Sequence, residues 1–580
     1  MRSTFFGLEI GRTGLNVSQK GLDVTGHNIA NVDTIGYTRQ RLITTAYDPY
    51  AYTMRFRMAD VGAVGGGAHV KILDQIRSSF LDRQYRTQQT AYSYWATRVN
   101  GLTYTQNIFE GKESIPLGNQ IIDLFSSFNL LATEADDAFQ RATVRNASIA
   151  LCDGFHQLYE QLSEQQQEQN LSVYANVMRI NSIAENITEL NKAIYRYEYM
   201  GGQPANDLRD KRNLLLDELS SLVNIQYGYH EDPDDTLNLG KLWIKIDGEY
   251  LVDYKNFNQL ECVEVAGGGV LTDNDRYDIY WMDPDPAIPY HNPNQGIPMT
   301  GTGSGGVYNN GGSSLDALAL GGELMSHMVL RDSVEYSPDN PAGIPYFIKL
   351  LNDLAKALVQ SVNEIHREGW TQEVDDGMGG KISLTGVNFF EFMTFNPDGT
   401  VDNYDNLIYS SYSSAVPDNL DMVTAKNISI NSDIFSDPIR GLAYIAASTK
   451  QIILTAPDYP TQGDDYLQEG NQINAQRLYE LINRRDIPIA GGESSLFGFF
   501  ESIIFELASI KKQSDDYESL HRVNLLGVDT QRESLSGVSL DEEMTNMIRY
   551  SHAYNGAARI ITAMDEALDV LINRMGRVGL

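Results

Sequence analysis

Residues 8–39 read LEIGRTGLNVSQKGLDVTGHNIANVDTIGYTR, and a leucine or isoleucine recurs in this stretch at every seventh position. The recurring residues are Leu8, Leu15, Leu22 and Ile29. Such a heptad stripe is typical of a helix that packs against a partner helix. Several glycines interrupt the same stretch, and each costs about 1 kcal/mol of helix stability relative to alanine. They are Gly7, Gly11, Gly14, Gly21 and Gly26. We therefore expect this helix to depend on contacts with another helix.

The other end of the chain carries a comparable pattern. Residues 540–575 read LDEEMTNMIRYSHAYNGAARIITAMDEALDVLINRM, with apolar residues at intervals of four and three. The apolar positions are Leu540, Met544, Met547, Tyr554, Ala558, Ile561, Leu568 and Met575. This spacing also predicts a striped helix. We expect the two terminal helices to pair and to form one inner layer of an assembly.

Motifs at both ends of the chain resemble those of a known group. The N-terminal run that contains Asn28, Asn31, Gly36 and Tyr37 resembles the signature of bacterial flagellar axial proteins, the rod, hook and hook-associated group. The segment GVSLDEEM at 537–544 is similar to the C-terminal segment of the same group.

Internal segments narrow the resemblance further. Residues 205–220 read ANDLRDKRNLLLDELS and residues 362–369 read VNEIHREG. Both resemble hallmarks of the hook-associated protein 1 family, which joins the flagellar hook to the filament. The segment 427–448 stands where that family has a similar one.

The resemblance implies a structural role without catalysis and without a cofactor. It implies self-assembly into a ring of about eleven subunits on the hook tip. Other implied partners are the flagellar hook protein, hook-associated protein 3 and an export chaperone. The implied location is the extracellular flagellum, reached by type III export without a cleaved signal peptide. The predicted assembly interface consists of the two apolar stripes together with Asn28, Asn31, Gly36 and Tyr37.

Composition restricts the function classes. The formal net charge is -33, and residues 231–330 hold 16 acidic and 4 basic side chains, against 5 acidic and 7 basic in residues 1–60. An acidic chain of this kind lacks the basic surface that nucleic-acid binding requires. The two cysteines, Cys152 and Cys262, indicate neither a disulfide framework nor a zinc site. No run of 18 apolar residues exists, so an ordinary membrane-spanning helix is not expected.

The predicted fold class is multidomain α+β, with long terminal helices in a coiled-coil-like inner domain, a helical-bundle domain and two β-rich insertions. The inner domain comprises residues 1–60 and 537–580. The helical core comprises residues 61–230, 331–370 and 426–536. The β-rich outer domains comprise residues 231–330 and 371–425.

Candidate chemical motifs are weak. The G-x-G-x-x-G run at 301–306 lacks the preceding strand and following helix of a nucleotide site. Asp273, Asp275 and Asp278 lack the central glycine and terminal glutamate of a calcium loop. His366 lies on an apolar-faced helix, which favours a structural role. Two alternatives stay open, namely another flagellar axial protein, and an adhesin or enzyme whose β insertions are displayed on the flagellum.

Overall fold

The computed structural model describes residues 6–47, 66–111, 116–201, 203–230, 241–265, 276–282, 321–337, 340–375, 381–395, 401–405, 407, 417, 419–451 and 471–570. Helices predominate and the β sheets are small, so the predicted α+β class is confirmed. Three residues and one run that were singled out from the sequence lie outside the described residues. They are Met575, Asp273, Asp275 and the glycine run at 301–306.

The described helices are numbered in chain order. They are α1 (Phe6–Ala30), α2 (Ser79–Phe109), α3 (Leu117–Leu131), α4 (Ala138–Gly201), α5 (Asn206–Leu222), α6 (Gly322–Asp332), α7 (Ile344–Glu368), α8 (Ser432–Ser436), α9 (Ile473–Glu480), α10 (Leu496–Ser536) and α11 (Leu540–Asp569).

The strands form hairpins and small antiparallel sheets. They are β1 (Gln40–Ala46), β2 (Ala68–Gln75), β3 (Gln226–Tyr229), β4 (Leu242–Ile246), β5 (Glu249–Asp253), β6 (Asn256–Phe257), β7 (Leu260–Val265), β8 (Arg276–Trp281), β9 (Trp370–Asp375), β10 (Lys381–Thr385), β11 (Phe390–Phe395), β12 (Val401–Asp405), β13 (Ile428–Ile430), β14 (Ile487–Ile489) and β15 (Gly492–Ser494).

Helix α4 is the longest element, and at 64 residues it extends for roughly 95 Å at 1.5 Å per residue. The periodic apolar residues predict a helix between Leu158 and Ile194, and the structure extends it at both ends. No proline interrupts the chain between Ala138 and Gly201, so nothing in the backbone forces an earlier end.

Two hydrophobic cores lie along α4. The first contains its N-terminal half with α3, α7, β11, β13 and the first turns of α10. The second contains its C-terminal half with α5, α6 and the sheet of order β3-β4-β5-β6. The residues 61–230, predicted as part of one helical domain, thus contribute to both cores.

The apolar runs at 242–246 and 250–252, joined by Asp247-Gly248, predict a hairpin, and the pairing of β4 with β5 confirms it. Asp247 and Gly248 connect the strands, and both adopt positive φ, +49° and +88°. Two consecutive left-handed residues match the twist of an antiparallel hairpin, and Asp-Gly is a favoured pair for them. The edge of the second core is fixed to α4 because the Asn181 amide donates to the Leu260 carbonyl, 2.8 Å, and accepts from its N–H, 2.9 Å.

Candidate assembly site

The terminal helices α1 and α11 pack against each other as an antiparallel pair, which confirms the predicted pairing. Gly7 lies beside Met564, Gly11 beside Ile561, and Gly21 beside Tyr550. At the far end of the pair, the Asn28 amide donates to the Glu543 carboxylate across 3.1 Å. Residue numbers therefore increase along α1 and decrease along the contacting part of α11, as expected for an antiparallel pair.

The face of α1 that approaches α11 most closely carries its small residues. A Cβ atom at position 21 would lie 2.5 Å from Tyr550 Cδ1, and one at position 11 would lie 2.8 Å from Ile561 Cγ1. Distances below 3.0 Å leave no room for a side chain, so glycine allows the helices to approach this closely. The small-residue seam, as we call this face, follows a 4,3 spacing. It consists of Gly7, Gly11, Gly14, Ser18, Gly21, Thr25 and Asn28.

The predicted N-terminal stripe runs beside this seam. Leu8, Leu15, Leu22 and Ile29 each follow a seam residue by one position and are only partly buried. On α11, Ile561 meets the seam, whereas Tyr554, Ala558 and Leu568 are partly buried. Leu540, Met544 and Met547 are exposed, with 57% of Met544 accessible. Leu540, Met544 and Met547 therefore remain on the outside of the helix pair, whereas the stripe on α1 is largely covered within its own chain.

Asn28 is the last residue of the seam, and its side-chain amide makes all four of its possible hydrogen bonds. It is 1% exposed, and its Nδ2 donates to the Gln40 carbonyl, 2.9 Å, and to Glu543 Oε2. Its Oδ1 accepts from the Tyr37 hydroxyl, 2.7 Å, and from the Gln40 N–H, 3.0 Å. Buried amides are tolerated only when their hydrogen bonds are made in this way.

Glu543 is the charged centre of the same region. It is 2% exposed and pairs with Arg39, whose Nη2 lies 2.7 Å from Glu543 Oε1. Arg39 also donates from Nη1 to the exposed Glu542, 2.6 Å, and from its backbone N–H to the Ser536 carbonyl, 2.9 Å. Burial, with the carboxylates of Asp207, Asp210 and Glu543 nearby, raises the pKa of Tyr37 and keeps its hydroxyl protonated as a donor.

A second carboxylate fixes the following segment to α5. The Thr38 N–H and hydroxyl both donate to Asp210, at 3.0 and 2.6 Å. Burial raises the pKa of Asp210, while the hydrogen bonds from Thr38 and the charge of Arg77, 3.7 Å away, favour its ionised form. The neighbouring Gln40 side chain donates to Asp207 across 2.8 Å.

The two remaining predicted residues shape the turn between α1 and β1. The Asn31 side chain donates to the His27 carbonyl, 2.9 Å, and its Oδ1 accepts from the Thr34 hydroxyl, 3.1 Å. Gly36 has φ +79°, a conformation that glycine adopts without strain. Asn28 and Tyr37 face their own chain, so any effect that they have on assembly is exerted through the position of the terminal pair.

Three segments that were recognised separately in the sequence therefore meet in one polar cluster. Residues 28–40 contribute Asn28 and Arg39, residues 205–220 contribute Asp210, and residues 537–544 contribute Glu543. The matched motifs contain Arg39, Asp210 and Glu543, but the predicted assembly interface includes none of the three. Their position inside the quoted motifs was the available signal.

The other candidate chemistry has structural explanations. The ring of His366 is fully buried, with Nδ1 2.8 Å from the Val387 carbonyl and Nε2 accepting from the Ala446 N–H, 2.8 Å. Asp278 pairs with Arg276, 2.9 Å. Within the part of the chain that the structure describes, no three His, Cys, Asp or Glu residues are placed to hold a metal ion. The same residues include no helix with the length and hydropathy needed to cross a membrane.

Protein-family models match three parts of the chain. Residues 102–382 match the flagellar hook-associated protein FlgK helical domain. Residues 8–38 match the flagella basal body rod protein model, and residues 531–575 match the flagellar basal body rod FlgEFG protein C-terminal model. The two terminal matches coincide with the paired helices.

The relatives that match over nearly the whole chain share the description flagellar hook-associated protein 1. Flagellar hook-associated protein 1 of Bacillus subtilis (strain 168) is 27% identical over 576 residues, covering 99% of both chains. The protein of that description from Salmonella typhimurium is 23% identical over 97% of this chain and 98% of its own. The solved structure of the flagellar hook junction protein FlgK from Burkholderia pseudomallei matches the fold with a TM-score of 0.51 at 14% identity, covering 79% of this chain and 100% of that chain. With a helical-domain match in the middle, axial-protein matches at both ends and end-to-end relatives, the chain is similar along its whole length to flagellar hook-associated protein 1.

Proposed function

We propose that this protein is a structural component of the bacterial flagellum that joins the hook to the filament by assembling with copies of itself. The observation that carries the proposal is the arrangement of the terminal pair. Its inner contact uses small residues, which leaves Met544, Met547 and Ile548 exposed on α11. Apolar side chains at heptad spacing on the outside of a helix pair are suited to packing against further helices.

The polar cluster gives the pair a defined position on the rest of the molecule. Asp210 belongs to α5, which packs in the second core, and Glu543 belongs to α11. Through Thr38 and Arg39 the two carboxylates hold consecutive residues of one strand-like segment. The pair is thus linked to the body at a fixed place, which a regular assembly of identical subunits requires.

In this proposal the subunits form a ring of about eleven on the hook tip, as a closed head-to-tail arrangement allows. The flagellar hook protein, hook-associated protein 3 and an export chaperone are the other partners. The chain reaches the extracellular flagellum by type III export without cleavage. Its role is assembly and not catalysis. The terminal pair would then form the inner layer of the assembly. The predicted helical core and the two predicted β-rich regions would lie outside it.

Electron microscopy of flagella from a strain that lacks this chain tests the proposal. We expect hooks without filaments, with flagellin released to the medium, and recovery of filaments when the intact chain is supplied. Hooks should be present in normal number, because the proposed role begins only after the hook is complete. Normal filaments on the deletion strain would refute the junction role.

A further inference from the structure

The turn between α1 and β1 presents an apolar side chain to solvent on a rigid support. Ile35 is 84% exposed. The turn is fixed by backbone hydrogen bonds from Thr34 to Asn31 and from Tyr37 to Thr34, both 3.1 Å. Beneath it, Gly36 packs against α5, since a Cβ there would lie 3.4 Å from Leu214 Cδ1. We call residues 31–37 the Ile35 turn. A rigid apolar projection loses little conformational entropy when a surface covers it.

A groove on the same molecule offers a matching surface. It lies between α2 and α10 and encloses about 350 Å³. The space above Gly527 is open, because a Cβ there would meet nothing within 4 Å. Val523 on its edge and the nearby Leu520 are both largely exposed. The groove is lined by Gln84, Gln88, Val523, Asn524, Gly527, Val528 and Gln531.

The chemistry of the two surfaces is complementary. Asp33 is the one charged residue of the Ile35 turn, and it is exposed. Arg83 and Arg522 are exposed and directly precede the groove residues Gln84 and Val523, and Arg522 also lies 3.8 Å from Glu518 of its own helix. The amide side chains that line the groove can form hydrogen bonds with the peptide groups of an incoming turn, while the missing side chain at Gly527 leaves room for an apolar group.

The turn does not occupy the groove of its own chain. Thr38 is bound to Asp210 and the Arg39 N–H to the Ser536 carbonyl, which fixes the turn outside the groove. A projection and a groove at different places on one chain can instead meet between two copies. Contacts of this head-to-tail type generate rings or helices.

We propose that Ile35 of one copy inserts above Gly527 in the α2–α10 groove of the next copy, with Asp33 facing Arg83 and Arg522. The inference rests on the proposed self-assembly and identifies a contact outside the terminal stripes. It assigns a role to a turn residue and to a glycine that the intrachain packing leaves uncovered.

Cysteine crosslinking tests this contact in the full chain. Ile35→Cys and Gly527→Cys are introduced together, the variant is supplied to the deletion strain, and isolated flagella are treated with diamide. We expect a ladder of disulfide-linked oligomers on non-reducing gels. All three chains carry Cys262→Ser, because that native thiol is partly exposed, and each single variant then serves as a control that should give no species larger than a dimer. Filaments without a ladder, or only an intrachain crosslink, would overturn the contact and leave the junction role intact.

A second variant covers the case in which the double-cysteine chain does not support filaments. Gly527→Leu fills the groove, whereas Gly527→Ala adds one methyl group to open space. We expect the leucine variant to reduce the number of filamented hooks at least tenfold and the alanine variant to leave it within twofold. Equal filament numbers for the two variants would contradict the inference. Normal filaments in the complete absence of the chain would instead contradict the proposed function.

Discussion

Arg39 and Glu543 lie 504 positions apart in the sequence and form an ion pair at the base of the terminal helix pair, with Arg39 Nε donating to Glu543 Oε1 across 2.8 Å. Glu543 is almost completely buried, whereas Glu542, which binds the same guanidinium, is 63% exposed. The two neighbouring carboxylates thus contact one arginine from very different environments.

Replacing Glu543 with Gln should separate the terminal helices. A buried charge that loses its only partner costs about 3–5 kcal/mol, but Arg39 keeps the exposed Glu542, so we expect a cost of about 1–3 kcal/mol for Glu543→Gln. For the exposed Glu542 we expect less than about 1 kcal/mol. Counting filamented hooks by electron microscopy in strains that carry either variant measures the difference. We expect loss of filaments with Glu543→Gln and near-normal numbers with Glu542→Gln. The opposite order would show that Glu543 does not hold the pair.

Replacing glycine with alanine should have opposite effects on the stability of α1 at two of its positions. Each substitution raises the helix propensity by about 1 kcal/mol. At Gly26 the added methyl group meets nothing within 4 Å, but at Gly21 it overlaps the ring of Tyr550. We expect Gly26→Ala to increase the amide-exchange protection of α1 and Gly21→Ala to decrease it. Reducing Tyr550 to Val in the Gly21→Ala chain should restore protection. Similar effects at both glycines would argue against a close seam.

Gly21 and Gly26 differ in their packing, and the sequence did not predict this difference. A repeating apolar pattern predicted both terminal helices and their pairing, and the structure confirms them. The contacting face was not identified, because small and large residues of α1 share the same seven-residue period. Period alone cannot separate a close glycine seam from an apolar stripe beside it.

The contacts of the polar cluster could not be predicted from the sequence either. Its ion pair joins residues with no local relationship, and the carboxylate of Asp210 meets Thr38 over 172 positions. The motifs located the three segments correctly but gave no indication of which charges would meet. Such contacts depend on the tertiary fold, in contrast to the Asp247-Gly248 turn, whose conformation follows from the two residues themselves.

Stability should fall with acid because of His366. Burial lowers its pKa from 6.5 to about 4, and a second proton on Nε2 would displace the Ala446 N–H. Because the folded-state pKa lies below the unfolded value, the neutral ring contributes fully above pH 6.5, and that contribution is lost as the pH falls toward 4. Urea unfolding across this range should show the decline. His366→Gln should flatten it, and the exposed His552→Gln should not.

His327 should add a decline of the same sign. Burial also lowers its pKa to about 4, and its Nδ1 lies 2.7 Å from the Gln169 amide oxygen. Flattening by His366→Gln is therefore expected to be partial, and the double variant with His327→Gln should be flatter than either single one. An unchanged pH profile in the double variant would contradict both assignments.

The apolar stripe of α1 is tested by substitution at two of its positions. Leu22 and Ile29 each lie one position beyond a seam residue and are partly buried, so replacing both with Asp places charge on the proposed contact with a neighbouring copy. We expect the central cores to keep their unfolding transition while the chain no longer enters the flagellum. Asn16→Asp, at an exposed position of α1, adds a charge outside the stripe and should be tolerated. The measurement pairs circular dichroism of the purified chain with swimming assays of the complemented strain. Normal swimming with Leu22→Asp and Ile29→Asp together would mean that α1 is covered by its own chain alone, and the apolar surface outside the pair would then need a different explanation.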